Sequence, residues 1–213
     1  MYSASPLSKV FGAEIRGIRL ATAPLTQELV QQIKHDVAHH RLLIFKDQGQ
    51  LEGAKQVELS KKLGAVESTF YQHPRSPNPD IFRVSNDPKE GCTNVGRTGW
   101  HLDGTFQACP FKYQTMHFHS VIPGGDTLFV PLRELYDRQE EETRERWNKL
   151  WFATGREFVH PLVYQHPVRG DTTLCFHCGE PFCAGWILEQ GEANAERPSL
   201  QLAESQTNPV IGN

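Results

Sequence analysis

The sequence predicts a single domain that is mainly β with flanking helices, and three observations support this fold class. Residues 111–122 alternate between two sets of side chains, which is typical of a strand with two different faces. Short apolar runs with the length of a strand occur at 42–45, 128–130 and 174–178. Helical patterns occur at 27–40, 52–63 and 140–151. The helical segments are too few to build the core alone, so strands are expected to provide most of it.

The first predicted elements are a strand and a capped helix. Residues 11–20 alternate as a short strand or hairpin does. Its inward positions are Ala13, Ile15 and Ile18. Thr26 has a hydroxyl that can accept a hydrogen bond from the first turn of a helix over 27–40. The apolar stripe of that helix consists of Val30, Ile33 and Val37. His35 and His39 are four residues apart, but their polar neighbours favour a solvated face over a metal site.

A buried strand over 42–45 and a second helix over 52–63 are predicted next. The apolar positions of the helix are Ala54, Val57 and Leu63, and Gly64 is expected to end it. From 65 to 99 the chain is rich in Pro, Asn and Gly, with residues 81–84 as its one strand candidate. Long irregular stretches inside a domain are usually functional or mobile, so this one is expected to cover a pocket.

The alternating segment 111–122 places four polar or aromatic side chains on one face: Tyr113, Thr115, His117 and His119. Two imidazoles at this spacing could bind a metal, although we interpret them as pocket or sheet histidines. A glycine turn leads into the predicted strand 128–130. The helix over 140–151 then has an apolar face formed by Trp147, Leu150 and Trp151.

The last predicted strand, 174–178, carries two of the five cysteines of the chain. Cys175, Cys178 and Cys183 could bind zinc together with His177, but the sequence has no second cysteine pair at the usual spacing, so this is the weaker interpretation. After Gly191 the chain has few large apolar residues. We expect residues 1–191 to form the domain and 192–213 to be a polar, disordered tail.

Composition narrows the function classes. The 213 residues carry 22 basic and 25 acidic side chains, a formal charge of −3, and no basic stripe that would suggest nucleic acid. Neither a secretory signal nor a membrane-spanning apolar run is visible. An odd number of cysteines suits a reducing compartment. These features predict a cytoplasmic protein that binds neither nucleic acid nor membrane, and they leave its oligomeric state open.

The strongest chemical signal is the pair His101-x-Asp103. Alternate residues of an extended segment point to the same side, so this imidazole and this carboxylate can reach one point. Such a pair suits Fe(II), Mn(II) or Zn(II), and a second imidazole would complete a two-histidine, one-carboxylate triad. Aromatic residues and glycines flank the pair: Gly99, Trp100, Gly104 and Phe106. A polar pair at the end of a strand is the alternative, and the flanking residues favour the metal site.

Together these motifs resemble the taurine dioxygenase (TauD/TfdA) family. In chain order, the motifs that match are residues 12–18, residues 43–48, Trp100-His101-x-Asp103-x-Thr105-Phe106, Gly124-Gly125-Asp126-Thr127, His160-Pro161, and His166-Pro167 followed by Gly170. The resemblance covers roughly residues 7–190 in the family's order. Several collinear motifs are far more specific than any single one.

The resemblance implies a fold, a site and a reaction. The family fold is a double-stranded β-helix, or jelly roll, with helices packed outside. Carried over by position, His101 and Asp103 would bind Fe(II), and Thr127 would donate a hydrogen bond to a carboxylate of 2-oxoglutarate. The implied reaction consumes O₂ and 2-oxoglutarate, releases succinate and CO₂, and hydroxylates a C–H bond of a small organic substrate.

The sequence departs from the family pattern in one respect. Family members have a second histidine ligand and then an arginine for the distal carboxylate of 2-oxoglutarate, both on late strands, and we match neither here. His160 and Arg169 have a similar spacing but belong to the earlier His-Pro motif. We therefore expect an incomplete jelly roll and an impaired dioxygenase. The alternatives are a non-catalytic family member that binds a partner or a metal, and a zinc-binding module.

Overall fold

The computed structural model of the chain describes residues 2–67, 72–93, 95, 99–124, 126–155, 158–179 and 182–189. Within these residues the chain forms eight strands and four helices. The strands are β1 (Ser3–Pro6), β2 (Ala13–Arg16), β3 (Leu43–Phe45), β4 (Leu150–Thr154), β5 (Val159–Pro161), β6 (Val163–Gln165), β7 (Thr172–Leu174) and β8 (Cys183–Leu188). The helices are α1 (Gln27–His40), α2 (Gly53–Leu63), α3 (Leu132–Asp137) and α4 (Glu141–Asn148).

The chain divides into two compact units. The first unit contains Met1–Val95 and Tyr113–Phe129, and the second contains Gly96–Lys112 and the chain from Val130 onwards. No helix in the described ranges is both long enough and apolar enough to cross a membrane.

The sheet of the first unit has the order β1-β2-β3. Strand β2 pairs antiparallel with β1 and parallel with β3, with Ala13 opposite Leu43. Ala13 and Ile15 are fully buried, which confirms a strand here and two of its three predicted inward positions, whereas Ile18 is half-buried and lies beyond the end of β2. Strand β3 is confirmed too, but Ile44 is 39% exposed, so the prediction of a fully buried strand was wrong. The reason is that β3 lies at the edge of the sheet and is covered on one side only.

Helix α1 forms over the predicted residues. The Leu29 N–H donates to the Thr26 hydroxyl at 3.3 Å, which is the predicted cap. Val30 and Ile33 are buried against the sheet of the first unit. The helix ends at His40 and is followed by the cap residue Arg41, whose N–H donates to the Val37 carbonyl at 2.8 Å and whose left-handed φ of 68° turns the chain out of the helix. His35 is exposed, in agreement with a solvated histidine face.

Helix α2 also confirms its prediction, because it ends at Leu63 with Gly64 as the next residue. Val57 and Leu63 are buried, but Ala54 is exposed, so its assignment to the apolar face was wrong. The helix turns its polar side toward residues 113–117. Gln56 Nε2 donates to the Thr115 carbonyl at 3.3 Å, and the hydroxyls of Ser60 and Thr115 lie 3.0 Å apart.

The predicted strands over 81–84, 111–122 and 128–130 were wrong. The described chain there forms only a single bridge, between Val84 and Cys92. The alternation of 113–118 persists, since odd-numbered positions are half-buried and even-numbered ones exposed. A strand needs a second backbone to pair with, and the described residues place none beside this segment. Side-chain hydrogen bonds to α2 hold residues 113–117 instead. In the segment 128–130, Phe129 is 51% exposed.

The second unit contains two small antiparallel sheets, β5-β4-β8 and β6-β7. Their core is formed by Leu162, Leu174 and Phe176, with Trp147 of α4 packed against it. Helix α4 confirms part of the predicted segment 140–151, but the segment's last residues belong to β4. Helix α3 was not predicted. The predicted strand 174–178 begins inside β7 and continues as an extended segment that meets His101.

Candidate metal centre

The segment 99–106 carries the predicted ligand pair on a tight backbone. Gly99 has a φ of +78° and Gly104 a φ of +81°, values that side chains other than glycine rarely adopt. A Cβ at Gly104 would lie 2.6 Å from the Phe111 backbone nitrogen. Glycine at this position therefore lets two pieces of backbone approach more closely than any other residue would permit.

His101 and Asp103 lie on the same side of the segment, as their spacing predicts. His101 Nε2 is 3.6 Å from Asp103 Oδ1, and both side chains are 27% exposed. This distance is too long for a good hydrogen bond. It is short enough for one metal ion to contact both atoms, because typical metal bonds to nitrogen and oxygen are about 2.1 Å.

The other ring nitrogen of His101 has its own partner. His101 Nδ1 lies 2.7 Å from the Gly99 carbonyl oxygen. A carbonyl only accepts, so Nδ1 carries the proton and the neutral ring keeps the lone pair of Nε2 for a metal. Histidine ligands in proteins are usually fixed by such a hydrogen bond from the second nitrogen. The donors and their fixed tautomer therefore fit a divalent metal.

A second segment of the same unit, residues 176–178, holds the backbone around His101 by hydrogen bonds. Residues 100–102 and 176–178 run antiparallel, with a bridge between His101 and His177. The Leu102 N–H donates to the Phe176 carbonyl at 3.0 Å, and the Cys178 N–H donates to the Trp100 carbonyl at 2.9 Å. His101 is thereby placed in a short sheet-like pairing.

The side chain of His177 also contacts His101. Its ring stacks on that of His101 with centroids 4.7 Å apart. Its Nδ1 accepts from the Gly179 N–H at 2.9 Å. Burial, together with the nearby His101, lowers the pKa of His177 to about 4, although Asp103 acts in the opposite direction. The ring is therefore neutral at ordinary pH. Sequence reasoning considered His177 only as part of a strand and beside the cysteines of the possible zinc module, because its pairing with His101 depends on long-range contacts.

An aromatic series leads away from the ligand pair. His177 contacts Phe182 at 4.6 Å between ring centroids, Phe182 contacts Phe106 at 5.9 Å, and Phe106 contacts Phe111 at 6.0 Å. Phe106 is only 5% exposed. Phe182, Phe106 and Phe111 thus form an aromatic wall that continues from the His177 ring stacked on His101.

Thr105, two residues after Asp103, is fully buried. Its carbonyl accepts from His160 Nε2 at 2.8 Å. Its hydroxyl, by contrast, has no hydrogen-bond partner among the described residues. His160 itself is only 7% exposed. Sequence reasoning noted its spacing to Arg169 but assigned it to the His-Pro motif and gave it no role in the site.

The other predicted site residues lie elsewhere. Thr127 belongs to the first unit, where it is exposed, and its role stays a prediction. His117 and His119 also belong to that unit. His119 Nδ1 lies 2.9 Å from the Gln50 side-chain oxygen, which agrees with a satisfied histidine, and His117 Nε2 lies 3.1 Å from the Gly49 carbonyl. His117 is satisfied only in part, because its Nδ1 is buried without a partner among the described residues.

The described residues contain no complete set of three metal-binding side chains. Over the described ranges, no group of three or more His, Cys, Asp or Glu residues could hold a metal ion. The zinc-module interpretation of Cys175, Cys178 and Cys183 was therefore wrong for these residues. Burial also raises the pKa of Cys175 to about 12, which opposes the thiolate that zinc requires.

Comparison with solved structures identifies the class of fold. The chain is similar to a taurine dioxygenase from Burkholderia xenovorans, with 24% identity, a TM-score of 0.61, and coverage of 87% of this chain and 66% of that one. It is also similar to AAD-2, solved in complex with Mn(II) and N-oxalylglycine, with 20% identity, a TM-score of 0.62, and coverage of 86% and 72%. The fold is therefore that of these dioxygenases.

The family follows from sequence. Residues 3–197 match the family model described as taurine catabolism dioxygenase TauD, TfdA family, so the chain belongs to this family. It is 27% identical to the α-ketoglutarate-dependent sulfate ester dioxygenase of Pseudomonas putida, over 79% of this chain and 64% of that protein. It is 29% identical to an (S)-phenoxypropionate/α-ketoglutarate-dioxygenase of Delftia acidovorans, over 78% of this chain and 56% of the relative. The matched part is thus less than two thirds of the length of these two relatives.

Proposed function

We propose that the chain is an Fe(II)- and 2-oxoglutarate-dependent dioxygenase that hydroxylates a small organic substrate. One observation carries the proposal: the Nε2 lone pair of His101 and the carboxylate of Asp103 lie 3.6 Å apart on the family's iron motif. Family membership supports the reaction class. The names of the relatives, which refer to α-ketoglutarate, support the co-substrate.

In this proposal His101 and Asp103 hold the metal. The Gly99 carbonyl keeps the proton on Nδ1, so that the His101 ring presents Nε2 to the metal. A bound Fe(II) would supply the chemistry that couples O₂ and 2-oxoglutarate to C–H hydroxylation. Thr127 is proposed to donate a hydrogen bond to a carboxylate of 2-oxoglutarate. The three small sheets are proposed to be parts of a double-stranded β-helix.

The aromatic wall is proposed to keep water away from the substrate side of the metal. Phe106 and Phe182 extend from the stacked His177 and present carbon rather than polar atoms. Excluding water strengthens electrostatic interactions in a site and limits side reactions. Neutral His177 suits this position, because a charged ring would attract water.

The substrate class follows from the relatives. Their names refer to sulfate esters and to phenoxypropionate, which are small acids or esters of small acids. We propose that this chain also acts on a small organic anion.

Turnover by this chain is expected to be low, because the described residues provide two metal donors and not three. Succinate formed from Fe(II), ascorbate and 2-oxoglutarate should be measured with an alkyl sulfate, a phenoxypropionate and taurine as substrates. The Delftia acidovorans relative serves as the positive control. We expect a small yield that the Asp103→Ala variant abolishes. An equal yield from that variant would overturn the assignment.

The absence of a third donor among the described residues also favours a second candidate, a non-catalytic family member that binds metal or a partner. The same experiment separates the two. Mn(II) binding that depends on His101 and Asp103, without any succinate above background, supports the second candidate. Succinate that depends on Asp103 rules it out.

A further inference from the structure

We infer that His160 is a positioning residue for the metal-binding segment, an inference that rests on the proposed metal site. His160 lies on β5 and is 7% exposed. Its Nε2 donates to the Thr105 carbonyl across 55 residues of sequence, at 2.8 Å. The bond joins a strand of a sheet to the turn that follows Asp103.

The strand gives this hydrogen bond a rigid base. His160 pairs with Phe152 of β4, the central strand of the sheet β5-β4-β8. Phe152 is fully buried, and its ring contacts Trp186 of β8 at 5.5 Å between centroids. A side chain that projects from such a base can fix the position of a loop more accurately than one that projects from another loop.

The hydrogen bond between His160 and Thr105 lies next to Asp103 in the segment and can therefore affect metal binding. Before Asp103, the Leu102 N–H is anchored to the Phe176 carbonyl at 3.0 Å. After Asp103, the Thr105 carbonyl is anchored to His160. Asp103 therefore lies between two hydrogen bonds to distant parts of the unit. Removing the second anchor takes away the hydrogen bond that follows Asp103, so the carboxylate is expected to be held less firmly beside His101.

The requirement is for a donor at the position of Nε2. The Thr105 carbonyl is buried, and a buried carbonyl needs a hydrogen-bond partner. Glutamine places an amide N–H close to the position of histidine Nε2, whereas asparagine, one methylene shorter, falls short of it. His160→Gln and His160→Asn carry the same amide group on side chains of different length, so their comparison tests whether the donor must reach the position of Nε2. His160→Ala removes the donor altogether.

Two measurements on the whole chain test the inference. Mn(II) affinity is measured by the paramagnetic resonance signal of the free ion, and amide hydrogen exchange of residues 99–107 is measured without metal. We expect His160→Ala and His160→Asn to weaken Mn(II) binding about 10- to 100-fold, as loss of an outer-shell partner does. Exchange over 99–107 should become faster in both variants. His160→Gln should restore both properties to within about threefold of wild type.

Controls separate this role from general stability. Ile187→Ala removes a buried side chain from β8 and should lower stability without changing the Mn(II) affinity of the folded protein. Wild-type exchange over 99–107 in His160→Ala would overturn the inference, and so would an equal effect of Gln and Asn. If wild type itself binds no Mn(II), the proposed metal site fails, and the exchange measurement alone decides the role of His160.

Discussion

The imidazole rings of His101 and His177 stack with centroids 4.7 Å apart and planes inclined by 24°. The two residues are also joined by a backbone bridge, so both backbone and side chain hold His101 in place. His177 fixes the plane of the His101 ring, and the Gly99 carbonyl fixes its tautomer. These two neighbours therefore determine the direction in which the His101 Nε2 atom points.

This stack should be measurable as a coupling energy. The variant His177→Asn keeps an acceptor for the Gly179 N–H but removes the ring. In a double-mutant cycle with His101→Ala, we expect a coupling of about 0.5–1.5 kcal/mol, the usual value for an aromatic pair. Urea unfolding of the four proteins provides the free energies. Effects that add to within about 0.3 kcal/mol would mean that the rings touch without stabilising each other.

The ligand pair makes a prediction about metal affinity. His101→Ala and Asp103→Ala each remove one of two donors, so each should weaken Mn(II) binding by at least about 100-fold. Asp137→Ala, which removes an exposed carboxylate at the end of α3, is the matched control and should have no effect. Mn(II) titration followed by paramagnetic resonance provides the affinities. Equal affinity of wild type and Asp103→Ala would exclude the pair as the binding site.

Local signals predicted the helices of the first unit well. The Thr26 cap and the Gly64 stop act within one turn of the helices that they bound, so the sequence alone is sufficient to place them. The pair His101-x-Asp103 was likewise predictable, since an extended segment directs alternate side chains to one side.

Strands were harder to predict for a physical reason. Residues 111–122 have the alternation of a strand, but alternation records only which side chains face the protein and not whether a second backbone is near. His160 and His177 were missed as parts of the site for the same reason. Each contacts the segment 99–106 across more than 50 residues of chain, and no local pattern encodes those contacts.

Thr105 allows a prediction about stability. Its hydroxyl is buried and has no partner among the described residues, whereas its backbone carbonyl is satisfied by His160. Valine has nearly the same shape and no hydroxyl. Thr105→Val should therefore stabilise the protein by about 1 kcal/mol, because an unpaired buried polar group costs about 1–3 kcal/mol. Thr173→Val, at another buried threonine, is the control. If chemical denaturation shows that Thr105→Val is less stable than wild type, the Thr105 hydroxyl has a hydrogen-bond partner.

The cysteines differ in expected reactivity. Cys109 is exposed, whereas Cys175 is buried and its pKa is raised by burial to about 12. At pH 8 such a thiol is ionised to about one part in ten thousand, and the thiolate is the reactive form. Iodoacetamide should therefore label Cys109 in the native protein and leave Cys175 unlabelled, as peptide mass spectrometry would detect. Labelling of both at similar rates in folded protein would contradict the burial of Cys175.

The last prediction concerns acid stability and His166. Its Nδ1 accepts hydrogen bonds from the Val168 and Arg169 N–H groups, both at 3.2 Å. Burial lowers the pKa of His166, the charges of Arg169 and Lys112 lower it further, and Asp171 acts in the opposite direction. The neutral ring is thus the form that the folded turn requires, since a protonated Nδ1 could not accept.

The direction of the pH effect follows from this shift. With a folded-state pKa below the unfolded value of about 6.5, the unfolded chain binds more protons between the two values. The stability contributed by neutral His166 is therefore fully present above about pH 7 and decreases as the pH falls below 6.5. His166→Asn keeps an acceptor near the position of Nδ1 but cannot take up a proton in this range.

Urea unfolding of wild type and His166→Asn at several pH values between 8 and 5 measures the effect. The difference in free energy of unfolding between the two proteins should be constant above about pH 7 and should shift in favour of the variant as the pH decreases. Other histidines, including His177, are present in both proteins and cancel in the difference. His35→Asn, at an exposed position, is the control for the replacement itself. A difference that does not change with pH would mean that the folded turn accepts protonated His166 as readily as the unfolded chain does.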